Sequence, residues 1–453
     1  MNHKATRNAG SSRIFIGTSE VAGYYTSLAR GFKELSIPVT FFSRNDHPFQ
    51  YDTQRYWWLL RLAKYAQRRS SQTPRRHSLQ KAFWFCLTQM AMVAVLLWAV
   101  ARHDVFIFGF GESFIYGGYD LWFLKKLKKT IISNIAHGSE ARPPYIDGAY
   151  QSTEGTPAAP HLIYNQTVFI KKRVERIERA SDYIIGAPYS CHFLRRAFIN
   201  TVVMGVPWQF DTVEKEGRPG DAYDAIRILH APSHRAVKGT DTVRQVISQL
   251  KAKGYNIEFV EITGRPHQEV LQELEKCTFV VDQIYSDGLL PGFATEAAWF
   301  CRPSVVGGYG LTELRHLLQG SPLPPSQICR PTELEEAIEK LIAEPERRMQ
   351  LGAGARDFIT THWSARQVAG RFARLIAGDA PPEWFIHPSR IVYLHGVGLS
   401  ESNCKAQIRK VIEQYGVEAL QLSHRPDLET AFVQFAGSEA SDVPSQTLSP
   451  MTS

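Results

Sequence analysis

Two cations, Arg235 and Lys238, stand in the loop after the strand-like run IRILH, and His137 closes another strand-like run in AHGSEAR. Parallel α/β sheets bind ligands at the carboxyl ends of their strands, and fixed cations placed there suit an anion such as a phosphate. Glu140 and Arg142 follow His137 closely and are candidates either to hold polar groups of a ligand or to form a surface ion pair. Gly17 and Gly23 bracket the turn after RIFIG, where glycine lets backbone approach a ligand or simply permits the turn. Their spacing is not GxGxxG, so dinucleotide binding is not expected. Pro291, Gly292 and Phe293 lead into the helix-like run GFATEAAWFCR, whose first backbone N–H groups can meet a phosphate or a sugar hydroxyl. No Asp-x-Asp and no CxxC occurs, and the six cysteines lack paired spacing, so neither a metal site nor a disulfide framework is expected.

The elements that must position these residues alternate between strands and helices. RIFIG, the amphipathic YYTSLARGFKELSI and VTFFS read as βαβ; DVFIFGFG, DLWFLKKLKK and TIISNIAHGSE continue the pattern. A Gly/Pro/charge-rich linker, Asp211–Tyr223, separates this half from a second α/β series that runs from IRILHAP to PSVVGG. The expected fold class is therefore α/β, with two Rossmann-like domains facing across a cleft, over residues 1–210 and 211–380. Residues 381–453 form a small extension in which RIVYLHG, CKAQIRKVIEQYG and VEALQLS read as strand, helix and strand, before a polar tail expected to be disordered.

The formal net charge of +8 is localised. Residues 53–103 hold nine cations and no acid, which leaves about −1 for the rest of the chain. A nucleic-acid protein spreads its cations along a groove among stacking aromatics, so that class is not expected. Trp57, Trp58, Arg61, Lys64, Arg68 and Arg69 mix aromatics and cations at helical spacing, as suits a helix lying in an anionic bilayer interface. The apolar run Phe83–Val100 follows. It reads as a core helix, an interfacial helix or a span; spanning is disfavoured because strand-like runs stand on both sides of it. The N-terminus carries no apolar signal core, which fits a cytoplasmic protein attached peripherally to the membrane.

Three blocks, HAPSHRAVKGTDTV, DQIYSDGLLPGFATEAAWFCRPSVVGG and PTELEEAIEKLIAEPERRMQLGAGARDFITTHWS, resemble in order and spacing the donor domain of GT-B glycosyltransferases. The likeness is to the large retaining, nucleotide-sugar-dependent family (family 4-like, "glycosyl transferases group 1"), and it covers roughly Ile226 to Ile376. It implies sugar transfer from a nucleotide sugar, with retention and no cofactor or metal, to a lipid-linked or saccharide acceptor, as in polysaccharide biosynthesis. Lys238 then matches the family's phosphate lysine, with Arg235 beside it, and His137 lies near the donor sugar or the reacting centre. Glu296 would accept the ribose hydroxyls of the nucleotide. The acidic residue expected eight positions earlier is Gly288 here, so Asp287 becomes the candidate for its place. Two other readings remain: a nucleotide-sugar epimerase-like enzyme, and a catalytically inactive membrane-associated partner that keeps the fold.

Overall fold

The computed structural model describes residues 12–44, 58–74, 78–208, 225–318 and 320–440. The first unit runs β1 (Ile14–Thr18), α1 (Tyr24–Glu34), β2 (Val39–Ser43), α2 (Trp58–Gln72), α3 (Ser78–Arg102) and β3 (Val105–Gly109). It continues through α4 (Leu121–Lys126), β4 (Thr130–Asn134), α5 (Pro160–Ala180), β5 (Tyr183–Gly186), β6 (Phe198–Asn200) and the single turn α6 (Thr201–Met204). The second unit holds β7 (Ile226–His230), α7 (Arg235–Lys238), α8 (Thr240–Ala252), β8 (Ile257–Glu261), α9 (His267–Lys276) and β9 (Phe279–Val281). After these come α10 (Gly292–Trp299), β10 (Ser304–Gly307), α11 (Leu311–Leu317), β11 (Gln327–Cys329), α12 (Leu334–Ala343) and α13 (Pro345–His362). The chain then adds α14 (Ala365–Ala377), β12 (Phe385–Ile386), α15 (Glu401–Tyr415) and α16 (Pro426–Gly437).

The first sheet has the order β12-β6-β5-β4-β3-β1-β2 and the second β11-β10-β9-β7-β8. Every pairing is parallel except that of β12 with β6. Strands such as IFIGT, VFIFG and TIISN are buried along their whole length. A parallel sheet covered on both faces demands that continuous apolar pattern, which is why the sequence reveals these strands. The strand order reverses between β1 and β3 in one sheet and between β7 and β9 in the other, so each sheet has a switch point where a crevice opens. The turn Gly148–Tyr150, which lies beyond the carboxyl end of β4, touches α7 beyond the carboxyl end of β7. The two sheets thus meet ligand-binding edge to ligand-binding edge, as the two-domain expectation requires.

The segment between β2 and β3 forms the hairpin α2–α3 over one face of the first sheet. Leu59, Leu60 and Ala63 of α2, and Met92, Val95 and Leu96 of α3, are buried with Phe106 and Phe108 of β3. Burying side chains of this size stabilises by about 1.5–3 kcal/mol each. The opposite face of α3 is apolar too, and exposed. Leu79, Phe83, Met90, Val93 and Leu97 form a stripe at helical spacing, between 40% and 86% exposed. The core-helix reading therefore accounts for one face of α3 only. By length and composition α3 could cross a membrane, but β2 and β3 both pair with β1 and lie in one sheet. Trp57 lies outside the described residues, as do 209–224, which include the expected linker, and the tail from 441 onward.

The C-terminal third departs from expectation. Helix α14 leaves the second unit and packs on α1, with the rings of Phe32 and Phe372 6.4 Å apart. A side chain at Gly31 would strike the Ala365 backbone, so glycine permits the close approach of these helices. Helix α14, which lies within the range 211–380 expected for the second domain, is therefore packed on the first unit. RIVYLHG is not a strand, and VEALQLS contains a short 3-10 turn, Val417–Leu420, in place of a strand. The edge position next to β6 is taken by β12, and Ile391 and Tyr393 are buried against both units without joining either sheet. The extension is no separate α/β element: α15 packs on α5 of the first unit, and α16 packs on α15.

Candidate functional site

On the second sheet, the chain leaves β7 through His234, whose ring accepts the Val237 N–H at 3.3 Å and caps α7. Gly239 then reverses the backbone with φ +73°, and a side chain there would collide with Ile284. This turn delivers Lys238, whose Nζ donates to Asp282 Oδ1 at 2.6 Å and to Gln283 Oε1 at 2.9 Å. The lysine side chain is 15% exposed and that of Asp282 only 1%. The other oxygen of Asp282 accepts the Ala294 N–H at 3.1 Å, so one carboxylate ties the lysine to the head of α10. Gly292 is exposed there, with open space around its Cα. A cation and the exposed Gly292 end of a helix thus stand together beyond β7 and β9. Asp282 takes the Ala294 N–H, further in along the helix, and leaves the Gly292 end facing open space, an arrangement suited to a diphosphate. Pro291 caps α10, and Phe293 is half-buried beside Gly292. Arg235 points elsewhere: its Nε donates to Asp241 Oδ1 at 2.9 Å, and the pair is largely exposed.

Glu296 lies in the second turn of α10, so it is not the first-turn acid that would serve helix capping alone. Its Oε1 lies 2.9 Å from His267 Nε2, and this bond raises the His267 pKa. His267 opens α9 beyond β8. Sequence reasoning missed it because nothing local joins positions 29 apart.

The structure moves Asp287 out of the cleft. It is 2% exposed; Gly310 N–H donates to Oδ1 at 2.8 Å and the Tyr393 hydroxyl donates to Oδ2. Both oxygens are taken, so Asp287 is not presented to a donor sugar. Burial lifts its pKa to about 6, against the Tyr393 and Gly310 bonds, which favour ionisation. Tyr393 begins a strap that crosses between the units. Val397 O accepts from Gly148 N–H at 2.8 Å on one side, and Gly398 N–H donates to Tyr285 O at 2.6 Å on the other. His395 stacks on Tyr309 at 4.8 Å. Gly398 has φ +75°, and a Cβ there would come within 2.7 Å of Val237, next to Lys238. The C-terminal region therefore buttresses the loop that carries the candidate phosphate cation.

On the first sheet, His137 follows β4 and is half-buried between Tyr24 and Tyr25. Its Nε2 lies 2.7 Å from the Tyr25 hydroxyl. Burial keeps that phenol protonated and lowers the His137 pKa to about 4, so the imidazole is neutral. With the phenol as donor, the ring proton is left on Nδ1. Glu140 Oε1 accepts the His137 backbone N–H at 2.6 Å, while its Oε2 is buried without a protein partner. Burial raises the Glu140 pKa. Arg142 pairs with Asp147 at 3.2 Å in the interior and lies over the Tyr189 ring, so the pair is buried, not superficial.

Gly17 and Gly23 serve the fold. A Cβ on Gly17 would press on Phe42 O and the Phe15 ring at 2.7 and 2.8 Å. Gly23 is the left-handed N-cap of α1. The head of α1 is already filled: Glu20 accepts from the N–H groups of Tyr25 and Thr26 at 3.1 and 2.9 Å. That internal carboxylate satisfies the orphan donors and the helix dipole, so the turn offers no open anion site. Glu112, which the sequence reading did not select, accepts from Ser19 Oγ at 2.7 Å and Arg44 at 2.6 Å, joining the carboxyl ends of β1, β2 and β3. Among the described residues no group of three or more His, Cys, Asp or Glu is arranged to hold a metal.

No protein-family model and no curated protein matches the chain. Similar solved structures include the Anabaena Alr3699/HepE protein in complex with UDP, with 9% identity over 81% of this chain and 100% of that one, at a TM-score of 0.44. An alpha-glucosyltransferase bound to UDP-glucose and DNA containing an abasic site shares 12% identity over 81% and 99%, with a TM-score of 0.47. The glycosyltransferase SnogD from Streptomyces nogalater shares 12% over 80% and 99%, with a TM-score of 0.39.

Proposed function

We propose that this protein is a glycosyltransferase that moves a sugar from a nucleotide-sugar donor to a lipid-linked or polysaccharide-precursor acceptor at the cytoplasmic membrane face. The observation that carries this reading is the meeting of two carboxyl-end edges, one bearing Lys238 at the head of α10, the other His137 with Glu140. Breaking an anomeric C–O bond leaves charge on a diphosphate, and Lys238 with the first N–H groups of α10 are the groups placed to receive it. Glu296 holds the ribose, and His137 offers Nδ1–H to a sugar hydroxyl. Retention follows the family resemblance. The exposed apolar stripe of α3 and the cations of α2 support peripheral attachment.

One further reading has an observation behind it. Asp287 is buried and Gly288 bears no acid, which favours a partner protein that binds a nucleotide sugar without transferring it. Incubation with UDP-, GDP- and ADP-sugars, a membrane lipid extract and EDTA, read as released nucleoside diphosphate, separates the two. Transfer undiminished by EDTA is expected, because the charge is met by Lys238. Transfer lost in EDTA and restored by magnesium or manganese overturns the metal-free mechanism, and binding without release supports the inactive partner.

A further inference from the structure

The loop before α4 and α4 itself expose a second set of aromatics. Tyr116, Tyr119 and Trp122 are 58%, 66% and 64% exposed, and Leu127 is 43% exposed. In the sequence, DLWFLKKLKK is one helix of the strand–helix alternation. The topology puts it beside the α2–α3 hairpin. Crossovers from β2 to β3 and from β3 to β4 advance in the same direction across the sheet, so right-handed connections set α3 and α4 on one face. The buried sides agree: Leu121 and Leu124 of α4 share a core cluster with Met92 and Val95 of α3. The outer sides are continuous as well, since Phe85 and Tyr116 have ring centroids 5.9 Å apart and Tyr116 N–H donates to Gln89 Oε1 at 3.0 Å.

Charge decides what such a surface meets. Residues 58–74, 78–102 and 116–129 contain one acid, Asp120, which is 3% exposed and accepts from Ser113, Phe114 and Ile115. The same segments carry Arg61, Arg68 and Arg69 on α2 and Lys126 and Lys128 at the end of α4, all exposed. Lys126 Nζ lies 4.7 Å from the centre of the Trp122 ring. Aromatics at headgroup depth beside cations are what an anionic bilayer recognises. A second copy of this cationic face would be repelled by it.

We propose that α4 and the turn before it form a second contact with an anionic bilayer, coplanar with the α2–α3 hairpin. This deepens the membrane reading above and rests on it. Two contacts on one plane fix the orientation of the first unit, where one helix would leave it free to roll. The test uses the full chain and vesicles of phosphatidylcholine with 30% phosphatidylglycerol or with none (about a third anionic, as in bilayers that attract polybasic surfaces). Trp122→Ser/Leu127→Ser should bind the anionic vesicles at least about tenfold more weakly than wild type, since each buried apolar side chain supports more than that factor. Lys126→Glu/Lys128→Glu should weaken binding in low salt and match wild type in high salt. Both variants should keep the wild-type thermal unfolding curve, because the altered side chains are exposed. Unchanged binding by Trp122→Ser/Leu127→Ser, while wild type binds, overturns the second contact and leaves the hairpin. Wild type that ignores anionic vesicles overturns the membrane reading itself, and self-association without vesicles assigns the face to a second copy instead.

Discussion

Replacing Lys238 by alanine is expected to lower turnover by about 10²–10³, the usual cost of removing one preorganised contact from a developing anion. The geometry complicates a simple reading of that loss. Lys238 Nζ also neutralises Asp282, whose side chain is 1% exposed. Removing one member of a buried pair strands the other charge, at a cost of about 3–5 kcal/mol. Part of the lost activity would then reflect a weakened fold. The double variant Lys238→Ala/Asp282→Asn separates the effects, because an asparagine oxygen still accepts the Ala294 N–H that Asp282 takes at 3.1 Å. It should recover most of the thermal stability and none of the turnover. Recovery of turnover together with stability would make Lys238 a structural partner of Asp282 and nothing more.

The second large effect concerns pH. Asp287 ionises near 3.8 in an ordinary setting and at about 6 in the folded protein, because burial disfavours its charge. Between those values the folded state keeps a proton that the unfolded chain has released. Stability from this group is therefore greatest at low pH and is lost as the pH rises through about 4 to 6. A displacement of this size corresponds to about 3 kcal/mol. Asp287→Asn removes the titration and keeps both contacts: its oxygen accepts Gly310 N–H, and its amide donates to the Tyr393 hydroxyl. Denaturant midpoints should coincide with wild type near pH 4 and exceed it at pH 7.5. Curves that run parallel across this range would show that Asp287 ionises in the folded protein as it does in the unfolded chain, and that burial does not raise its pKa.

Much of the fold was legible in the residues because buried parallel strands write themselves as unbroken apolar runs. VTFFS has in the structure the bounds it has in the sequence pattern, and the strand VFIFG lies inside the run DVFIFGFG. The loop ending in Lys238 was legible for a related reason: a strand, a left-handed glycine and a helix are local features. What escaped were partners far apart in the chain. Tyr25 meets His137 across 112 positions, and Tyr393 meets Asp287 across 106. No periodicity encodes such meetings. Asp287 looked available because it stands next to Gly288, where the resemblance expects an acid, yet a distant tyrosine closes over it. The path of α14 escaped too, since its amphipathic pattern says that one face is buried but not against which unit. The insert was readable as amphiphilic, although its first residues, up to Trp57, lie outside the described part of the chain.

The proposed nucleotide site lies in the cleft between the two sheets and holds a nucleoside diphosphate at Lys238, the head of α10 and Glu296. Calorimetric titration of the full chain with UDP, GDP and ADP tests it most directly, with Glu296→Gln alongside. Saturable binding of at least one nucleotide at one site is expected, weakened in Glu296→Gln because the ribose contact is lost, with the unfolding curve otherwise unchanged. A folded wild-type chain that binds none of the three, or a Glu296→Gln variant that binds as wild type does, would rule this site out.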